Sequence, residues 1–256
     1  MLRHTTCILA VMLLTACSSA GPQRRAAIDR ALAVAPGQAQ PSAVIATEIA
    51  AARAVREFGQ LTALLDFAAP GAVLHLADGL ADAQSVLSRR SYSTPPIRVL
   101  TRVVWMSCDG QAAVSSGNYV SADGRWGRYA AAWQRQPAGD YHWTYGMAAP
   151  DPALTAREAR VRPAIADDAE EIVVEGTTMI RGETGDCLRG APAPPPAPGA
   201  AADGGGYSPD NTLAWRWLTK ADGTRSLMVT QHHAAGWEQV FTLVVGSDGE
   251  VSAFDD

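Results

Sequence analysis

The chain reads as an α+β protein with its helices first. Three observations carry this: apolar residues recur at helical spacing early in the chain, four strand-like runs follow with aspartate-glycine turns, and more strand-like runs lie beyond a proline- and glycine-rich insert. Four segments result. Residues 1–16 form a leader, 17–41 a tether, 42–150 a helix-then-meander domain, and 151–256 a β-rich extension with an insert at about 190–209.

The leader sets the expected compartment. Arg3 precedes the short apolar run Ile8-Leu-Ala-Val-Met-Leu-Leu14, and Leu14-Thr-Ala-Cys17 closes it with small residues. A run this short does not span a bilayer, which takes about 20 apolar residues, so it is expected to be a cleaved signal. Leu-Thr-Ala-Cys looks like a bacterial lipobox, which would make Cys17 the acylated first residue of the mature protein, and Ser18 after it favours an outer membrane facing the periplasm. The tether from 18 to about 41 is rich in alanine, glycine, glutamine and proline.

Charge narrows the partners. The chain carries a formal −5, and removal of 1–16 leaves 20 basic against 26 acidic side chains, or −6. No basic run is present, so nucleic acid is not an expected partner; the membrane, a small apolar ligand or an envelope protein is. Cys7 leaves with the leader and Cys17 is expected to carry lipid. Cys108 and Cys187 remain, and in an oxidising compartment they are expected to pair.

In chain order, Ser42 or Thr47 would cap a helix whose stripe is Ile45, Ile49, Ala52, Val55 and Phe58, with Glu48, Arg53, Arg56 and Glu57 largely outside it. Gly59 ends that helix and a second carries Leu61, Leu64, Leu65 and Phe67. A first strand is expected over 72–76, a third helix over 80–90, and strands over 97–106, 111–121, 126–136 and 141–147, with Gly117 and Gly127 as bend points. Beyond 150, a helix over 153–162 precedes strands over 171–180, 213–219, 226–232 and 237–245, and Gly204-Gly-Gly206 reads as linker.

The order of the helix, Phe58-Gly-Gln-Leu-Thr-Ala-Leu-Leu-Asp-Phe-Ala-Ala-Pro-Gly-Ala-Val73, Trp105-Met-Ser-Cys-Asp-Gly-Gln-Ala-Ala-Val-Ser-Ser-Gly117, Tyr129-Ala-Ala-Ala-Trp133 and Tyr141-His-Trp143 resembles the NTF2-like superfamily over roughly 41–150, in its SnoaL-like and DUF4440-like branch. The resemblance implies a cone: N-terminal helices packed on a bent antiparallel sheet. Its open end would serve as an enzyme site, a ligand pocket or a partner surface, and the outer sheet face would pair with a second copy. The preferred expectation is a lipid-anchored, non-catalytic ligand-binding or protein-interaction module. The alternative is a SnoaL-like hydratase, cyclase or isomerase acting on a small apolar carbonyl compound.

The residues bear on that choice. Strands 97–147 hold no acid outside their turns, so the cone is expected to lack an internal carboxylate, and His75, Asp66 and Asp78 are the remaining catalytic candidates. Tyr119, Tyr129, Trp133, Trp143 and Tyr145 are the candidate pocket. Tyr129 and Trp133 share strand parity, as do Trp143 and Tyr145, so each pair is expected to project from one face. His142, His232 and His233 have no metal-ligand spacing, and no cofactor motif is present.

Overall fold

The structure is a computed structural model and describes residues 38–89, 97–161, 179–187, 192–194 and 204–255. The leader, Cys17, the tether to 37, residues 171–178 of the strand expected over 171–180 and most of the insert lie outside the described residues. No helix among the described residues is long and apolar enough to cross a membrane.

Helix α1 (Pro41–Phe58) begins with proline at its first turn, where a missing N–H costs nothing. Neither expected cap acts: Gln40 is the N-cap without a side-chain bond, and Thr47 lies inside the helix with Oγ1 donating to Ala43 O at 3.0 Å. The buried face also differs from expectation. Val44 and Glu48 point inward, whereas Ile49 is 57% exposed and Phe58 64%. Alanines flank both candidate stripes, so apolar spacing alone did not fix the rotation of this helix. Gly59 turns at φ 88° into α2 (Gln60–Asp66).

The chain then forms β1 (Ala68–Leu76) and β2 (Gly79–Asp82) before α3 (Ala83–Arg89), so the third helix starts later than expected. Asp82 explains the start. Its Oδ1 accepts the Ser85 N–H at 2.7 Å, a capping bond that cannot form from within a helix begun at 80. The meander follows as β3 (Arg98–Met106), β4 (Ala112–Val120), β5 (Trp126–Arg135) and β6 (Tyr141–Pro150), then α4 (Pro152–Val161). Asp151 caps α4 by accepting Leu154 N–H at 2.8 Å.

Among the described residues the strands make two sheets. The first has the order β2-β1-β6-β5-β4-β3-β7, in which β7 (Arg181–Thr184) runs parallel to β3 and β1 parallel to β6. The second has the order β12-β11-β10-β9-β8, built from β8 (Gly204–Tyr207), β9 (Leu213–Thr219), β10 (Arg225–His233), β11 (Gly236–Val245) and β12 (Val251–Asp255).

Two apolar clusters fix the layers. Val44, Ala72, Leu87, Val104, Met106, Trp133, Tyr141 and Trp143 join α1–α3 to one face of the first sheet. Val103, Trp105, Val114, Tyr145 and Met147 on the other face meet Leu213, Trp215, Leu227, Phe241 and Leu243 of the second sheet. The extension thus shares a core with the meander. The face that the family resemblance assigned to a partner copy is covered by this chain's own second sheet.

The three glycines read as linker open β8, an edge strand. Gly204 and Gly206 face Trp217 and Trp215 across the ladder, and each indole lies where a Cβ would stand. Only glycine lets a large ring cross its own neighbouring strand this closely.

Two bulges shape the first sheet. In β3, Thr101 pairs with Gly117 and Val103 with Ser116, so Arg102 is extra. In the β5–β6 pair, Ala132 faces Tyr145 and Trp133 faces Trp143, so Thr144 is extra. Each reverses alternation locally and sends residues two apart to opposite faces. At Gly117 the bulged backbone approaches so closely that a Cβ would run into Leu100 O.

The Cys108–Cys187 disulfide closes in the structure, with Cα atoms 5.2 Å apart and a sequence separation of 79. Hydrogen bonds lace the same end: Cys108 N–H donates to Thr212 Oγ1 at 2.8 Å, Asp186 N–H to His232 O at 2.9 Å, and Gln231 Nε2 to Met106 O at 3.1 Å. At another point of the interface, Arg128 bridges Asp151 at 3.0 Å and lies 4.0 Å over the Phe254 ring.

Gly117→Ala is expected to lower stability by about 1–3 kcal/mol in urea unfolding, because the bulge has to open to admit the methyl. Gly124→Ala has no such neighbour and meets only the left-handed φ of 81°. It should cost about 1 kcal/mol.

Candidate functional site

The polar centre of the helix-facing side of the first sheet is Glu48. It comes from α1, is 8% exposed, and sits among apolar side chains with its oxygens met by hydroxyls from three strands. Ser115 Oγ donates to Oε1 at 2.6 Å, Thr101 Oγ1 donates to Oε2, and the Tyr129 hydroxyl stands 3.3 Å from Oε1 and 3.1 Å from Thr101 Oγ1. Trp133 Nε1 donates to Ser115 Oγ at 2.8 Å and so orients the hydroxyl that meets the carboxylate. The β3 bulge produces this convergence. Val103 enters the inter-sheet core while Thr101, two residues away, turns to Glu48.

Electrostatics follow from burial. Desolvation raises the Glu48 carboxyl above its ordinary value of 4.5, and the bonds from Ser115, Thr101 and Tyr129 pull it partly back. Burial lifts the Tyr129 phenol well above its ordinary value of 10.0, and the Glu48 charge adds to this. Thr101 and Tyr129 are each partly exposed as whole residues, while the carboxyl and phenol groups themselves are buried. The cluster is a carboxyl suited to hold or move a proton, beside a phenol suited to donate a hydrogen bond.

The expectation that the cone lacks an internal acid is therefore corrected. Glu48 was missed because helical spacing placed it outside the buried stripe. A signal was present elsewhere: Thr101, Ser115 and Tyr129 are hydroxyls on strands otherwise rich in apolar residues, and buried hydroxyls in such a setting need a polar partner.

The named catalytic candidates lie apart. His75 is 1% exposed, but it faces the second sheet, with Nδ1 bonded to the Tyr145 hydroxyl at 2.8 Å and Nε2 to Thr219 Oγ1 at 3.0 Å. Asp66 is exposed at the end of α2, and Asp78 is exposed in the turn between β1 and β2.

The aromatic set divides. Tyr129 and Trp133 face the helices together. Trp143 faces the helices too, donating Nε1 to Leu64 O at 2.9 Å, but the bulge at Thr144 turns Tyr145 to the other face, where it stacks on Trp217 at 4.5 Å. The expectation that Trp143 and Tyr145 share a face is thereby overturned. Trp133 and Trp143 are core; Tyr119, whose ring lies over Gly127, is partly exposed like Tyr129. No group of three or more metal-ligating side chains occurs among the described residues.

The fold and site together define an α+β protein in which helices cover one face of the first sheet around the buried Glu48 carboxylate. No protein-family model matches the chain, and no curated protein matches it. Among solved structures, it is similar to a Shewanella frigidimarina NCIMB 400 protein provisionally named a ketosteroid isomerase, at 10% identity and a TM-score of 0.30, covering 39% of this chain and 89% of that one. It is also similar to a Kribbella flavida DSM 17836 protein whose description names no activity, at 21% identity and a TM-score of 0.29, covering 48% of this chain and 98% of that one.

Because the folded carboxyl of Glu48 holds its proton more tightly than the unfolded one, its contribution to stability is complete below pH 4.5 and is lost as pH rises through the raised value. Urea midpoints of the unaltered chain should therefore fall across that window, and those of Glu48→Gln should lose this component. An unchanged pH profile in the variant would remove the raised carboxyl.

Proposed function

We propose that the chain is a lipid-anchored envelope protein carrying an NTF2-like domain, and that this domain binds a small, mostly apolar molecule through one polar group at the Glu48–Tyr129 cluster. The observation that carries the reading is a buried, hydroxyl-held carboxylate whose partners Thr101 and Tyr129 are partly open to solvent. The lipobox-like Leu14-Thr-Ala-Cys17 supports the anchor. Binding, rather than turnover, fits a carboxylate whose oxygens are already occupied by donors from its own chain.

A second reading is favoured by one observation, the raised carboxyl of Glu48 next to a phenol. A proton-transfer enzyme of the isomerase class would use Glu48 to take a proton next to a substrate carbonyl and Tyr129 to donate a hydrogen bond to the carbonyl oxygen. This replaces His75 and Asp66 in the role of base.

Native mass spectrometry of residues 18–256 purified without denaturation is expected to show a co-purified small molecule. Tyr129→Phe should weaken its retention about tenfold, as loss of one hydrogen bond to a charged or polar group does. A bare mass together with no ligand response in the unaltered chain would count against the pocket. Turnover abolished by Glu48→Gln with binding retained would select the enzyme. Separately, Cys17→Ser should move the protein from the membrane to the soluble fraction on cell fractionation; continued membrane association would end the lipoprotein reading.

A further inference from the structure

On the opposite face of the first sheet, between the two sheets, a cation lies buried with no carboxylate bonded to it. Arg225 opens β10, is 4% exposed, and donates Nη1 to His75 O at 2.7 Å, while its Nε–H has no partner. Trp217 on β9 is the second donor in the same position, for its buried Nε1–H also has no partner. Arg225 pairs with Thr219 and Leu227 with Trp217, so Arg225 and Trp217 are diagonal neighbours on the inward face. Long side chains at diagonal positions reach one another.

Among the described residues no acceptor meets either N–H. His75 and Thr219 are bonded to each other, and the Tyr145 hydroxyl is bonded to His75. Trp217 is held in place by stacking on Tyr145, with an interplanar angle of 8°, and by Gly204 across the ladder. Asp78, exposed in the β1–β2 turn, acts on Arg225 through its charge, and burial lowers the guanidinium below its ordinary value. Two buried N–H groups without acceptors are costly, and more so when one is charged.

The edge left open identifies the ligand class. With Nη1 turned to His75 O, the Nε side of the guanidinium faces away from that bond, and this side takes a planar carboxylate side-on through parallel N–H···O bonds. The indole N–H adds a further donor. We propose that Arg225 and Trp217 form a carboxylate-binding site between the two sheets, separate from the Glu48 cluster, that takes a small monocarboxylate. The Ala77-Asp78 turn beside it is exposed.

The test uses the full chain purified in neutral detergent, titrated with sodium acetate at constant ionic strength, with sodium chloride as the comparison. Acetate should raise the thermal midpoint with saturation, and chloride should not. Trp217→Phe, which keeps a ring on Tyr145 but removes the N–H, should weaken the acetate response about tenfold. Arg225→Gln should abolish it. If either variant fails to fold, the unaltered chain still decides: one indole N–H resonance should shift on adding acetate and stay fixed on adding chloride. An equal response to both salts would overturn the carboxylate assignment, and no response to either, or an unchanged affinity in Trp217→Phe, would overturn the site.

Discussion

The first sheet is apolar on both faces, and everything else in the fold answers that constraint. A sheet with Val104, Met106, Trp133 and Trp143 on one side and Val103, Trp105, Val114 and Met147 on the other cannot face water on either. The helices cover the first side, as the resemblance to a cone implied. The second sheet, built from residues beyond 203, covers the other. Burying roughly ten large apolar side chains between the sheets, at about 2 kcal/mol each, dwarfs the contribution of any single polar contact there.

Both polar clusters sit where this packing is interrupted. The Thr101–Val103 bulge turns one hydroxyl out of the inter-sheet core and toward α1, and the Thr144 bulge sends Trp143 and Tyr145 to opposite layers. Without the first, Glu48 loses a hydroxyl; without the second, His75 loses the phenol bonded to its Nδ1. The irregularities thus set which chemistry lies on which face.

Much of the architecture was legible in the sequence because its signals are local. Aspartate-glycine pairs marked the hairpin turns, where Gly124, Gly223 and Gly249 adopt φ near 80°. Glycine at 59 ended α1. What was not legible depended on distant partners. The rotation of α1 is decided by hydroxyls 53 and 67 residues away. The parity of Trp143 and Tyr145 failed because one extra residue in a strand inverts alternation and leaves no compositional trace. Gly204-Gly-Gly206 looked like linker because the reason for its glycines lies in two tryptophans of the next strand.

Those two tryptophans have a consequence beyond their own strand. β8 is a short edge strand with almost no side chains of its own. Trp215 and Trp217 lie across its inner face where side chains would otherwise stand, so the bulk on that face is lent by its neighbour. Their indoles therefore supply the inner face of β8 as well as their own: a smaller residue at either position would leave a void beside a strand that has no side chains with which to fill it.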